Sequence, residues 1–406
     1  NQKITKLFIQ SNIFILRIFL QLHQASELSI LVVLAFIVFA SPYISKILRI
    51  PVAPAEIILG ALASYIGLVG ENEMFKLISE VGFFFLMFLA GMEIDLRMLI
   101  NIDRKILRLG LIYLALIYSL ATALTFSFDL SLLYIIIIPI MAVGMIFTLF
   151  KEYGRDVKWL NLSMLIATIG ELISITLLTF IAAYLQFGAS INLWLTIGYL
   201  ILFLAISVLS FKILDVLFWW YPGLKVILMP HYDKDEKDIR LSIAVFFSMI
   251  ALMLYLNLEV AFGAFIAGMF IATFFDHKKD LPHKLSSFGF GFLVPIFFIH
   301  IGSTFKLSSL SSNEVIKDAI FIFCAMLATR LFSSVLFVGK LGFKGIFLFS
   351  LSQSMPLTLL VAVATIAHRS GEISDYSYSS FILASLAQAI IGTIIIKFLM
   401  QSRSKE

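Results

Sequence analysis

Apolar runs of about twenty residues, separated by short charged or Gly/Pro-containing breaks, recur along the whole of this 406-residue chain. A helix rises about 1.5 Å per residue and needs roughly 20 apolar residues to cross ~30 Å of hydrocarbon. The runs therefore predict an all-α polytopic membrane protein with about 13 transmembrane helices. They fall near residues 29–47, 52–69, 76–95, 106–127, 131–150, 162–186, 191–220, 240–257, 258–275, 288–306, 316–338, 344–367 and 377–400. A mean hydropathy of +1.03, with 61% hydrophobic and 14% charged residues, excludes a water-soluble globular domain. An outer-membrane barrel is excluded too, because the runs are continuous rather than alternating.

The net charge of +5 sits mainly in loops that this reading places on one side, including Lys46/Arg49, Arg97/Arg104/Lys105/Arg108, Lys151/Arg155/Lys158 and Lys278/Lys279/Lys284. Such a bias predicts an outside N-terminus and a cytoplasmic C-terminus in a bacterial-type inner membrane, with the bilayer rather than nucleic acid as the partner. The stretch "LFIQSNIFILRIFLQL" is short for a span and carries Arg17, so residues 1–28 are expected to lie in the interface. No small-residue cleavage site follows it. The single cysteine, Cys324, excludes an intrachain disulfide, and the six scattered histidines offer no metal-ligand spacing. With no nucleophile–base pair in view, neither an enzyme nor a cofactor is expected.

An odd number of spans with a long seventh, 191–220, suggests two six-helix halves of opposite orientation joined by a linker helix, followed by a cytoplasmic linker at 221–239. Inverted repeats of this kind build secondary transporters, whose sites form where discontinuous helices meet. The fifth run contains "IPIMAVGMIF", with Pro139 and Gly144. Its counterpart, the twelfth, contains "LSQSMPLTLL", with Pro356 among Ser350, Ser352, Gln353, Ser354 and Thr358. Proline removes a backbone donor and frees a carbonyl one turn earlier, so both helices are expected to unwind near mid-membrane.

The sixth run, "LIATIGELISITLLTF", holds one carboxylate, Glu171. A charge at the bilayer centre costs at least ~2.5–3.5 kcal/mol on insertion scales, so it calls for a partner or a function. Thr168 and Ser174, three residues to either side, share its helix face. Arg330, in "FCAMLATRLFSSVLFV", is the one base well inside a run and is expected either to lock helices or to meet Glu171 as a charge partner. Glu56 is read as a helix N-terminal cap, and Glu80 and His300 as packing residues. Glu93 and Asp95 are read as a solvated network with Arg97 and Arg104, and Gly263 and Gly268 as sites of close helix approach. The 41 Phe are assigned to lipid-facing and core surface.

The motifs "ILRIPVAPAEIILGALASYIGLVG" and "EVGFFFLMFLAGMEIDLRML", followed by "EVAFGAFIAGMFIAT" and "LVPIFFIHIGSTFKL", resemble the cation:proton antiporter-2 family of Kef-type sodium or potassium/proton exchangers. That resemblance implies a homodimer of 13-helix protomers moving in an elevator manner. Its dimerisation scaffold would comprise 29–95 and 240–306, and its mobile core 106–186 and 316–400, with the ion held where the broken helices cross. The family's essential aspartate corresponds to Glu171, here preceded by Gly170, and a basic residue of its eleventh helix to Arg330.

One carboxylate serves antiport if it holds either a proton or a cation and moves only when occupied. Glu171 is accordingly expected to bind H⁺ or Na⁺/K⁺ in turn, with Thr168, Ser174, Ser354, Thr358 and unwound carbonyls as oxygen ligands. A single acid makes one-for-one electroneutral exchange the simplest stoichiometry. The rival readings are an organic-anion or nutrient symporter that uses Arg330 to bind a carboxylate, and a non-transporting membrane sensor that keeps the scaffold.

Overall fold

The computed structural model describes residues 28–48, 50–70, 72–94, 104–154, 157–188, 190–230, 235–275, 278–305, 307 and 312–401. The interfacial segment expected before residue 28, and Asp95 and Arg97 of the expected charge network, lie outside them. Among the described residues every regular element is helical, and nine helices are long and apolar enough to cross a membrane.

In chain order the helices, long and short together, begin with α1 (Leu28–Leu48), α2 (Val52–Tyr65), α3 (Glu73–Met92), α4 (Arg104–Ser127), α5 (Tyr134–Ile137), α6 (Gly144–Tyr153), α7 (Lys158–Phe187), α8 (Ile191–Trp220) and α9 (Pro222–Leu228). They continue with α10 (Lys237–Leu256), α11 (Val260–Phe274), α12 (Leu281–Phe288), a π-helical turn (Gly289–Leu293) and α13 (Val294–Thr304). Last come α14 (Asn313–Ser334), a 3₁₀ turn (Val335–Phe337), α15 (Val338–Gln353), α16 (Leu357–Arg369) and α17 (Asp375–Gln401). α15 is kinked at Gly342, whose φ of 67° suits a residue without Cβ. The expected division near Asn257–Glu259 is also present. Asn257 adopts φ 53° after α10, its N–H bonds the Leu254 carbonyl, and the Leu258 N–H reaches back to Met253, an αL helix ending that frees the chain to turn into α11.

One compact unit contains the described residues to Gly82 together with Gly291–Leu307. Ile30, Leu34 and Ile37 recur at helical spacing on one face of α1 and pack with Ala63, Phe75, Ile296 and Ile299. Where α2 crosses α13 there is no room for side chains. A Cβ on Gly60 would fall 2.2 Å from the Ile299 carbonyl oxygen, and one on Gly302 2.0 Å from that of Ile57. Lipid offers no hydrophobic drive for helix association, so this close backbone approach supplies the contact. Glu56 departs from its expected role as a cap. It lies past the first turn of α2, where no side chain caps the helix, and is buried to 3% exposure. Its Oε1 accepts the Ser41 hydroxyl of α1 at 3.1 Å, so a buried interhelical hydrogen bond replaces the expected contact with the helix end.

The second unit contains Phe83–Phe290 and the described residues beyond Leu307. Gly268 has the role expected of it: its Cβ would lie 2.0 Å from the Phe88 carbonyl oxygen, and one on Gly91 of α3 would lie 2.1 Å from that of Phe265. Gly263 instead makes room for Met253 of α10. Tyr113 of α4, Phe337 and Phe349 of α15 form an aromatic cluster that also holds Met141 and Ile166. At the start of α10, buried Asp238 accepts ion pairs from Lys278 and Lys284 at 3.7 and 3.3 Å. The basic group Lys278/Lys279/Lys284 is thus partly tied to the protein by charge.

The glycine contacts make a stability prediction. Gly268→Val should lower the melting temperature in detergent, by an overpacking cost of about 1–3 kcal/mol. Gly198→Ala, in mid-α8 where a Cβ meets nothing within 4 Å, should be neutral or stabilising. Equal behaviour of the two variants would contradict the packing assigned here.

Candidate functional site

Both expected helix breaks are present. Between α5 and α6 the chain leaves the helix over residues 138–143, beginning beside Pro139, and between α15 and α16 it does so at Ser354, Met355 and Pro356. Gly144 is the first residue of α6 rather than part of the break, and a Cβ there would meet nothing within 4 Å. The first break therefore does not depend on a glycine at that position. It is shaped by the proline and by the side chains that satisfy the exposed backbone.

Those side chains come largely from α7, which is buried enough at mid-length to be polar on one face. Glu171 is fully buried, and its Oε2 accepts the Val143 N–H at 3.0 Å. One turn along, the Ser174 hydroxyl oxygen accepts the Met141 N–H at 3.2 Å. Glu171 Oε1 has no hydrogen-bond partner among the described residues. Thr168 shares the face but donates to the Met164 carbonyl of its own helix at 2.8 Å. Gly170, just before the carboxylate, leaves space that Met141 fills: a Cβ there would lie 2.4 Å from the Met141 sulfur.

The second break is tied to the same helix a little over two turns before Glu171. Gln353 donates through Nε2 to the Ser163 carbonyl at 2.8 Å, and the Ser352 and Ser163 hydroxyls are 2.9 Å apart. Ser163 and Glu171 are about 12 Å apart along α7. Ser354 is buried and donates to the Ser350 carbonyl of its own helix, while Thr358 is buried in the first turn of α16.

Arg330 joins the two breaks. It is fully buried, and its guanidinium donates from Nε to the Gln353 carbonyl at 2.8 Å, from Nη1 to those of Ile138 and Met326 at 2.8 and 2.9 Å, and from Nη2 to that of Ile140. The helix-locking role expected of it is therefore present, but by a different interaction. Its partners are backbone carbonyls from both breaks, and no ion pair with Glu171 is formed. Carbonyls expected to be free for a cation are correspondingly occupied. Ser350 bonds the Arg330 carbonyl and the Ser334 hydroxyl, which supports the arginine's own helix segment.

Thr168, Ser174 and Glu171 thus meet at the first break, and Ser354 and Thr358 stand at the second. Ser163 and Ser334 went unnoticed in the sequence, though each is a small polar residue at helical spacing from Glu171 or Arg330. Among the described residues no group of three or more His, Cys, Asp or Glu side chains suits a metal ion.

Two interrupted helices, pinned to one another by a buried arginine within an all-helical membrane protein beside a buried carboxylate, define the architecture of a secondary transporter. The description "Sodium/hydrogen exchanger, transmembrane" matches residues 14–402, and the chain belongs to that family. It is 26% identical over 393 residues to the putative Na⁺/H⁺ antiporter YjbQ of Bacillus subtilis, covering 90% of this chain but only 62% of that protein. It is 25% identical to the probable Na⁺/H⁺ antiporter 3 of Methanocaldococcus jannaschii, covering 90% of this chain and 95% of that one. The structure of the sodium proton antiporter MjNhaP1 from the same archaeon superposes with a TM-score of 0.64 at 16% identity, over 91% of this chain and 96% of that one, so the two share a fold.

The Arg330 geometry yields a prediction. Arg330→Met leaves four buried carbonyls without this donor, at about 1–3 kcal/mol for each that stays unpaired. Its melting temperature should fall well below that of Arg330→Lys, whose ammonium can keep some of these bonds but not their planar fork. If Arg330 instead served mainly as a counter-charge to Glu171, Glu171→Gln would rescue Arg330→Met.

Proposed function

We propose that this chain is a secondary active antiporter that exchanges a monovalent cation, Na⁺ or K⁺, for protons at Glu171. The observation that carries the reading is the state of that carboxylate. It is fully buried, one oxygen is held by a backbone N–H of the first helix break, and the other has no partner among the described residues. An acid in this position takes up either a proton or a cation, and it has no fixed counter-ion that would make it indifferent to both. The family membership and the Na⁺/H⁺ antiporters among the relatives support the same activity. The motifs of the second and third helices favour the Kef-type branch.

Hard monovalent cations take oxygen ligands. Glu171 Oε1 and the hydroxyl oxygens of Ser174 and Thr168 are the nearest candidates by helix position, with Ser354 and Thr358 contributing from the second break. In the elevator reading, 106–186 with 316–400 forms the moving core and 29–95 with 240–306 the scaffold of a homodimer. The protein would lie in the inner membrane with a cytoplasmic C-terminus. Because position 170 is glycine, one acid carries one charge in either occupied state, and exchange would be electroneutral. The symporter alternative is disfavoured by the saturation of Arg330, whose bonds to four carbonyls leave no two-pronged face for a substrate carboxylate.

The test is proton efflux from acid-loaded proteoliposomes on addition of Na⁺, K⁺ or Li⁺. A cation-dependent signal is expected in the wild type, absent in Glu171→Gln, with a rate unchanged by an imposed membrane potential. Folded protein that gives no signal with any of the three cations would favour the non-transporting scaffold. A potential-dependent rate would overturn the one-for-one stoichiometry.

A further inference from the structure

A buried phenol stands beside the first helix break, on a helix that has contributed nothing to the site so far. α4 and α7 run side by side here. A Cβ on Gly110 would lie 3.6 Å from Ile166, and Ile117 belongs to the cluster that holds Met141, against which Ile169 and Ile173 of α7 pack. Tyr118 and Ser174 come next after Ile117 and Ile173 and lie equally far beyond Gly110 and Ile166. The same register brings the Tyr118 hydroxyl up to Ser174. Its oxygen is buried, yet it closes a hydrogen bond with none of the described residues, Ser174 included. If the ring served packing alone, phenylalanine would do as well without burying a hydroxyl.

Ser174 has a hydrogen for that oxygen. Its Oγ accepts the Met141 N–H, which leaves one lone pair and the hydroxyl hydrogen. Thr168 and Thr176, on the same helix, return theirs to the Met164 and Leu172 carbonyls. Among the described residues Ser174 makes no such bond. A hydroxyl ligates a cation through a lone pair and must turn its hydrogen away, and within a bilayer that hydrogen needs a protein acceptor. The Tyr118 oxygen is placed to be that acceptor. Being neutral, it does so without adding a second anionic group beside Glu171.

We infer that Tyr118 is a positioning residue for exchange: by accepting the Ser174 hydrogen it keeps the free Ser174 lone pair turned to the cation. The inference rests on the exchange reading above, in which Ser174 is a ligand. The phenol acts through Ser174 and carries no proton of the exchange, so it changes cation affinity and leaves the maximal rate alone.

The experiment compares wild type, Tyr118→Phe, Ser174→Ala, the double variant and Glu171→Gln by exchange in proteoliposomes over a range of Na⁺, Li⁺ and K⁺ concentrations, and by melting in detergent with and without those cations. Tyr118→Phe removes one buried oxygen and keeps the ring. It should melt at or above the wild-type temperature, yet raise the apparent KM for the transported cation by about 3- to 10-fold, the range for one neutral hydrogen bond, with little change in maximal rate. It should also shrink the cation-induced rise in melting temperature. In the Ser174→Ala background the same substitution should add nothing, because the two hydroxyls act as a unit. An unchanged KM in Tyr118→Phe, or a full rise that persists without the Ser174 hydroxyl, would overturn the positioning role and leave Glu171 as the exchange site. A Tyr118→Phe protein that melts well below the wild type would overturn it too, by showing that the hydroxyl holds the fold. If the wild type exchanges no alkali cation, the exchange reading fails and the role of Tyr118 falls with it.

Discussion

Backbone carbonyls and N–H groups set free inside a bilayer have no water to bond, and this fold depends on how that demand is met at its two broken helices. The acceptors and donors are satisfied from different places. Carbonyls just past α5 and at the C-terminal end of α15, where the helix dipole is negative, converge on the Arg330 guanidinium. The N–H groups ahead of α6, at the positive end of that helix, go to Glu171 and Ser174 of α7. Arginine suits its task because its planar fork presents several donors in fixed directions. The arginine thus meets break carbonyls and the C-terminal end of α15, the carboxylate meets the N–H groups ahead of α6, and the two charges need not meet.

That separation determines what the carboxylate can do. A buried acid bonded to a buried arginine would be held as an ion, and an incoming cation would have to break the pair. Here the arginine's charge is spent on backbone, and among the described residues the acid has a single N–H and a bare oxygen. Ser352, Gln353 and Ser163 bind the second break to α7 about 12 Å along the helix from Glu171. Any shift of α15 relative to α7 must therefore be felt along the helix that carries Glu171.

Much of this was legible in the sequence because membranes make composition speak plainly. The apolar runs place the helices, the prolines at 139 and 356 place the breaks, and Glu171 and Arg330 stand out as charges where charges are expensive. What the sequence could not show was direction. Spacing says that Thr168 lies on the Glu171 face, but not that its hydroxyl turns to its own helix. Opposite charges invite pairing, yet three-dimensional register assigned Arg330 to carbonyls more than a hundred residues away in sequence. Glu56 misled for a similar reason: proximity to a helix start suggested a cap, whereas packing of α1 placed Ser41 against it. Residues such as Ser163 and Ser334 carry no signal by composition, since serine is common in membrane helices and its role is set by the partner that arrives.

Gly170 and Met141 show how a single small residue can fix the chemistry of its neighbour. The break needs its backbone to pass close beside α7, and the Met141 side chain occupies the space that a side chain at position 170 would claim. A second acid there would have to displace a fully buried thioether and bring a second charge into the same low-dielectric region. The packing that closes the first break thus also keeps the site to one titratable group. On the exchange reading, the charge that crosses with a proton equals the charge that crosses with a cation. On that reading electroneutral exchange would follow from how a methionine fits against a glycine, one residue before the carboxylate.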